Sequence, residues 1–115
     1  MSLYRLSRQG EELVFKALSG ATWADKNGHD IDWHDLKVSV KTRGASGTIG
    51  NTAFTFSHFN DKDSIYVLVG ITKEAHYFWV ISSKQLKNKK SFYASIKESV
   101  AYPELAETIS RYAKK

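Results

Sequence analysis

The sequence predicts an α/β domain with a central mixed β-sheet flanked by helices. Three observations favour this class. A helical stripe near the N-terminus precedes several strand-like runs, the run over residues 64–71 is almost continuously apolar, and a second helical stripe follows Pro103. A chain of 115 residues is long enough to bury one core, so we expect residues 1–115 to form a single domain.

The first predicted element is a helix over residues 8–19, which Ser7 caps and Gly20 ends. Glu11 lies on the apolar stripe of this helix. A carboxylate there is costly to bury without a partner, and a metal ion or Lys41 would be such a partner.

The strands follow in chain order. They are predicted over residues 21–24, 30–33, 37–42, 52–59, 64–71, 76–82 and 91–96. The run 64–71 is apolar on both faces, which is typical of a strand near the centre of a sheet, and 76–82 is its expected antiparallel neighbour. A short helix is predicted from Ser83, and a C-terminal helix after Pro103.

Acidic residues and a lysine alternate with apolar residues along the predicted hairpin "DIDWHDLKVSVK", which turns through residues 34–36. Because strand side chains alternate between faces, four polar side chains are expected on the face opposite the core: Asp30, Asp32, Ser39 and Lys41. Phosphodiester hydrolysis needs a hard cation held by oxygen ligands, and a lysine stabilises the developing negative charge. A solvated face with an ion pair is the simpler alternative, and the spacing leaves both open.

These motifs resemble, in order and spacing, the PD-(D/E)XK nuclease superfamily of restriction endonucleases and Holliday junction resolvases. The family pattern is an acid in the first helix, an Asp opening a hairpin and an acid-x-Lys on the returning strand. In this chain "GEELVFKAL", "GHDIDW" and "VSVKT" hold those positions, and "DSIYVLVGI" with "HYFWVISSKQL" resembles the strand pair that closes the core. The likeness covers about residues 10–86.

This resemblance implies a restriction endonuclease-like core, and a Mg²⁺-dependent endodeoxyribonuclease of restriction, homing or resolvase type, with Mn²⁺ as a substitute. It also implies the residue roles. Asp30 would be the principal metal ligand, and Glu11 a ligand or the residue that positions a water on the metal. Lys41 would stabilise the attacking water and the transition state. Glu11 has the register of the family's helix acid, whereas Glu12 does not.

One position departs from the pattern, because Ser39 stands where the resemblance puts an acid. Three explanations stay open. The acid comes from a later helix, as in a subset of the family, although residues 42–60 contain no Asp or Glu. Alternatively, Asp32 approaches the metal instead. Finally, the site is inactive, which would leave a nuclease-derived DNA-binding module; a small interaction protein is a third class.

Lys and Arg outnumber Asp and Glu by 17 to 12, which gives a net charge of +5 and a pI near 9.4. This balance favours a polyanionic partner, and DNA is the partner we expect. The candidate DNA contacts are Thr42, Arg43, His29, Lys87, Lys89 and Lys90. For each of them the alternative is an ordinary solvent-exposed residue.

Composition also bears on compartment and assembly. The chain has no cysteine and no apolar run long enough to span a membrane, and charged residues interrupt its N-terminus, so we expect a cytoplasmic protein without membrane contact. One small domain covers only part of a duplex, so cutting both strands implies a homodimer. Hydrophobic residues of the C-terminal helix are candidates for its interface.

Overall fold

Two β-sheets and three helices make up the described part of the chain. The structure is a computed structural model, and it describes residues 3–24, 30–44, 48–49, 52–57, 59, 65–86 and 90–113. The helices are α1 (Leu3–Ala17), α2 (Ser83–Leu86) and α3 (Leu105–Ala113), with 3₁₀ turns at Ile96–Glu98 and Tyr102–Glu104. The strands are β1 (Thr22–Trp23), β2 (Ile31–Trp33), β3 (Leu36–Gly44), β4 (Thr48–Ile49), β5 (Ala53–Ser57), β6 (Ile65–Ile71), β7 (His76–Ser82) and β8 (Ser91–Ser95).

The large sheet has the strand order β1-β2-β3-β6-β7 and is mixed, because β3 and β6 run parallel while its other neighbours run antiparallel. The small sheet has the order β4-β5-β8 and is antiparallel. Strands of the two sheets alternate along the chain, since β4 and β5 come between β3 and β6. Every residue of β6 is buried and β7 is its antiparallel neighbour, as the sequence predicts.

The large sheet is covered on both faces. One face packs against α1 and α3, with Val14, Leu18 and Ile109 among its fully buried side chains. The other face packs against the small sheet, and Phe54 and Phe56 of β5 are buried between the two sheets. None of the helices in the described residues is long and apolar enough to cross a membrane.

Helix α1 lies close to the large sheet at Gly10. A Cβ atom built on Gly10 would overlap the side-chain oxygen of Thr42 on β3. The absence of a side chain therefore lets the helix axis lie close to β3, and this contact holds the N-terminal half of α1 against the strand.

The predicted helix start and the predicted hairpin turn need correction. Helix α1 begins at Leu3 rather than at residue 8, because Leu6 continues its apolar stripe onto the core and Ser7 lies within the helix rather than at its cap. In the hairpin, Leu36 belongs to β3 and pairs with Trp33. The turn is therefore only two residues long.

The two turn residues, His34 and Asp35, have φ values of 48° and 64°, which is the left-handed geometry of a type I′ two-residue hairpin turn.

The main apolar residues of the C-terminal helix α3 are not exposed for the dimer interface that the sequence suggested. Leu105 and Ile109 are fully buried in the protomer's own core, so their apolar area is already covered.

Candidate active site

A cleft lies where β3 extends beyond the end of its pairing with β2. The β2–β3 pairing ends at Val38, whereas β3 continues to Gly44. Beyond Val38, none of the described strands pairs with β3 on that side, and α1 and β5 border the space instead. The resulting cleft has a volume of about 250 Å³ and is lined by Ser7, Glu11, Val40, Lys41, Thr42, Arg43, Phe56 and Ser57.

Asp30 takes the place of the missing strand partner at Val40, one of the residues that line this cleft. Its backbone N–H donates to the Val38 carbonyl over 3.0 Å. Its side-chain Oδ2 accepts the Val40 backbone N–H over 2.7 Å. A charge-assisted bond of this length fixes the carboxylate in orientation, so Asp30 is tied to the strand that carries Lys41.

Glu11 reaches the same cleft from α1. Its side chain is 22% exposed, whereas that of Glu12 is 53% exposed. Burial raises the pKa of the Glu11 carboxyl, and the negative charge of Asp30 raises it further. The structure thus brings Glu11 within electrostatic range of Asp30, and leaves Glu12 on the outer side of the helix.

Arg8 partly offsets this repulsion. Its Nη1 lies 3.6 Å from Oε1 of Glu11, which lowers the pKa of that carboxyl against the larger effect of burial. The guanidinium stacks over the ring of Trp23 at 4.3 Å, and Trp23 in turn stacks on Phe15 at 4.2 Å. An aromatic support therefore holds Arg8 beside the site.

Four consecutive residues of β3, Val40 to Arg43, line the cleft. Lys41 is half-buried and Arg43 is exposed at the rim. Thr42 points towards α1, and its hydroxyl oxygen is buried without a hydrogen-bond partner among the described residues. Lys41 thus shares one cleft with Glu11, beside the Asp30–Val40 hydrogen bond.

The structure separates Ser39 and Asp32 from this cleft. Ser39 is 1% exposed and lies opposite Tyr66, so it faces the second core beneath the small sheet. The expectation of an open polar face opposite the core is therefore wrong at Ser39. Asp32 lies opposite Lys37 and Thr22, and it does not line the cleft.

Several predicted contacts lie outside the described residues. These are His29, Lys87 and Lys89. Lys90 is described, and it is exposed at the start of β8. The sequence did not predict Arg8 or Ser57 as neighbours of the site. The sequence does contain a signal for Arg8, which is its i, i+3 spacing from Glu11 on one helix.

The donor atoms at the cleft fit Mg²⁺ better than a softer ion. No group of three His, Asp or Glu side chains suited to a metal ion occurs among the described residues. Two carboxylates, Glu11 and Asp30, do lie close enough to repel each other. Mg²⁺ is commonly held by one or two carboxylates while it keeps several waters, and a cation would relieve that repulsion.

The raised pKa of Glu11 predicts a pH-dependent gain in stability from Glu11→Gln. A carboxyl whose folded-state pKa is raised costs stability when ionised, and this cost disappears as pH falls through the folded pKa towards the ordinary value of 4.5. In EDTA, the variant should melt at a higher temperature than the wild type at pH 7. The gain should shrink towards zero at acidic pH.

The control for this measurement is Glu12→Gln, which neutralises an adjacent carboxylate that is 53% exposed and should change the melting temperature much less. A lower melting temperature for Glu11→Gln at pH 7 would show that the ion pair with Arg8 outweighs the cost of burial.

The chain is similar in fold to a solved structure. No protein-family model matches the chain, and no curated protein matches it. The structure of a bacterial homing endonuclease, I-Ssp6803I, is similar to it with a TM-score of 0.61 and 14% identity, over 98% of this chain and 93% of that chain. At this identity the likeness is one of fold, and it confirms the predicted class, a mixed α/β domain with a nuclease-type core.

Proposed function

We propose that this chain is a metal-dependent endonuclease that hydrolyses DNA phosphodiester bonds, with residues 1–115 forming one domain of the PD-(D/E)XK type. The observation that supports this most is the shared cleft of Glu11 and Lys41, next to the carboxylate of Asp30. The likeness in fold to a homing endonuclease and the net charge of +5 point the same way.

In this proposal, Asp30 and Glu11 hold Mg²⁺ or Mn²⁺, which would polarise the scissile phosphate and favour deprotonation of water. The ammonium group of Lys41 orients the attacking water and offsets the negative charge that develops on the phosphate as the P–O bond to the leaving oxygen breaks. The Asp30 carboxylate is held in place by the Val40 N–H, so it needs no reorganisation before the reaction.

Arg43 is exposed beside Lys41 on the same strand, and we assign it to a phosphate that flanks the scissile bond. Thr42, the other contact predicted on this strand, has its hydroxyl buried against Gly10 of α1, so we do not assign it to DNA. Ser39 adds no charge to the site, so the residues assigned to the metal are two carboxylates rather than the three acids of the family pattern. Double-strand cleavage by a domain of this size implies a homodimer, which we propose together with a cytoplasmic location.

The test is cleavage of supercoiled plasmid and of a branched DNA in Mg²⁺, in Mn²⁺ and in EDTA. The wild type should cut in either metal and not in EDTA. Lys41→Met keeps most of the side-chain volume without the charge, and it should slow cleavage about a hundredfold while DNA binding in EDTA persists. Equal cutting by both proteins would point to a contaminating nuclease.

The alternative function has its own outcome in the same experiment. DNA binding by the wild type without cleavage in any metal would identify a nuclease-derived binding module. The burial of Ser39 in place of a carboxylate is the observation that favours this alternative. The absence of both binding and cleavage would exclude both functions.

A further inference from the structure

The outer face of the small sheet carries several side-chain hydroxyl groups. Thr55 lies opposite Tyr93, and Ser57 opposite Ser91, in the antiparallel pair of β5 and β8. Residues opposite each other in such a pair share a face, while Phe54 and its alternate neighbours point into the core. Ser57, Ser91 and Tyr93 are exposed.

Tyr93 stands out on this face. Its side chain is 57% exposed, and it is the only large hydrophobic side chain so exposed among the described residues. A tyrosine combines a flat apolar ring with a hydroxyl that both donates and accepts hydrogen bonds. The face therefore offers mainly hydrogen-bonding groups, with too little apolar area for the core of a protein–protein interface.

Acidic residues are absent from the two segments of the chain that contain the small sheet. Its three strands lie within residues 36–60 and 75–97, and these two segments contain none of the chain's 12 acidic residues. They contain eight of the 17 Lys and Arg. Lys90 and Lys97 are exposed just before and just after β8, and the first acid beyond them is Glu98. The described surface beside β8 therefore carries two exposed positive charges, which are complementary to a polyanion.

The hydroxyl-bearing face is continuous with the cleft, because Ser57 belongs to both. Strand β4 pairs with β5 only at Ala53 and Phe54. Beyond Phe54, residues 55–57 of β5 and 91–93 of β8 therefore form a two-stranded ribbon among the described strands, with β8 as the edge. Strands in a sheet lie about 4.8 Å apart. A ribbon of this kind enters the major groove of B-DNA, which is about 12 Å wide.

We propose that the outer face of β5 and β8 is a DNA-binding surface that enters the major groove of the duplex held at the cleft. The hydroxyls of Thr55, Ser91 and Tyr93 contact base edges, while Lys90 and Lys97 contact the phosphates on either side. The inference rests on the proposed function, because it describes where the same substrate extends beyond the scissile bond.

The natural absence of cysteine makes a direct footprint feasible, since any introduced thiol is unique. Ser91→Cys puts a thiol on the proposed surface, and Lys16→Cys puts a matched exposed thiol on α1, which packs against the other face of the large sheet. Maleimide labelling is followed in EDTA, with and without a 30-base-pair duplex at about ten times its dissociation constant. DNA should slow labelling of Ser91→Cys about tenfold and leave Lys16→Cys unchanged.

Salt dependence tests the two lysines independently. Removing two phosphate contacts with Lys90→Gln and Lys97→Gln together should lower the slope of log affinity against log salt by about 2. The matched pair Lys16→Gln and Arg111→Gln removes two exposed charges from the helical side and should leave the slope unchanged.

The outcomes distinguish a failure of this inference alone from a failure of the proposed function. If the duplex binds, as fluorescence anisotropy reports, but Ser91→Cys is labelled as fast as before, the surface assignment is wrong while the nuclease proposal stands. Protection of both thiols to the same degree also contradicts it. If no version binds DNA, both proposals fail together.

Discussion

Asp30→Asn is expected to slow plasmid cleavage at least about a thousandfold, which corresponds to roughly 4 kcal/mol of lost transition-state stabilisation. The substitution removes the negative charge that would hold the cation. It leaves an amide oxygen in the position of Oδ2, where it can still accept the Val40 N–H. The melting temperature in EDTA should therefore stay close to that of the wild type, so the loss is one of chemistry rather than of folding.

The matched control is Asp32→Asn, two residues further along the same hairpin. Asp32 lies opposite Lys37 and does not line the cleft, so this variant should cleave at close to the wild-type rate. The opposite pattern, with Asp32→Asn inactive and Asp30→Asn active, would mean that Asp32 binds the cation and that our assignment is wrong. Cleavage is measured in Mg²⁺ and again in Mn²⁺ for both variants.

Gly10→Ala is expected to lower the free energy of unfolding by about 2–3 kcal/mol. Helix propensity alone predicts the opposite, because alanine in a helix interior is about 1 kcal/mol better than glycine. The added Cβ, however, would overlap the side chain of Thr42 and lie 3.0 Å from its Cβ. Relief of that overlap requires α1 to move away from β3, which loosens the packing beneath it.

A double-mutant cycle with Thr42→Ala isolates this contact. Truncation removes the overlapping oxygen and the methyl group of Thr42 but keeps its Cβ, so Gly10→Ala should cost much less in that background. A coupling energy above about 1 kcal/mol is expected for two side chains in direct contact. Urea unfolding gives all four free energies, and additive costs would show that helix and strand are less closely packed than the structure has them.

Local patterns were sufficient to predict much of this fold. The continuous apolar run of β6 predicted a strand buried on both faces, and the alternation of acids with Ile31 and Trp33 predicted the hairpin. Both patterns depend on residues adjacent in sequence, where the period of the side chains is set by the backbone itself. The register of Glu11 on the stripe of α1 likewise identified which of two adjacent acids enters the cleft.

Long-range packing was not predictable in the same way. The hairpin face with Ser39 looks polar in sequence, yet Tyr66 and Leu68 on β6 extend it into a second core that the small sheet covers. The residues next to Ser39 in the sequence do not indicate that this face is covered, because the covering strands are β5 and β8. Arg8 has a local signal in its i, i+3 spacing from Glu11, but its contact with Trp23 joins residues that meet only after the chain has turned back.

The alternation of strands between the two sheets has a consequence for folding. Strand β5 pairs with β8, and the segment between them contains β6 and β7 of the large sheet. Because the two sheets also share the core around Phe54 and Tyr66, unfolding is expected to be a single cooperative event. Because so many of these contacts join distant parts of the chain, the domain should also fold slowly for its length.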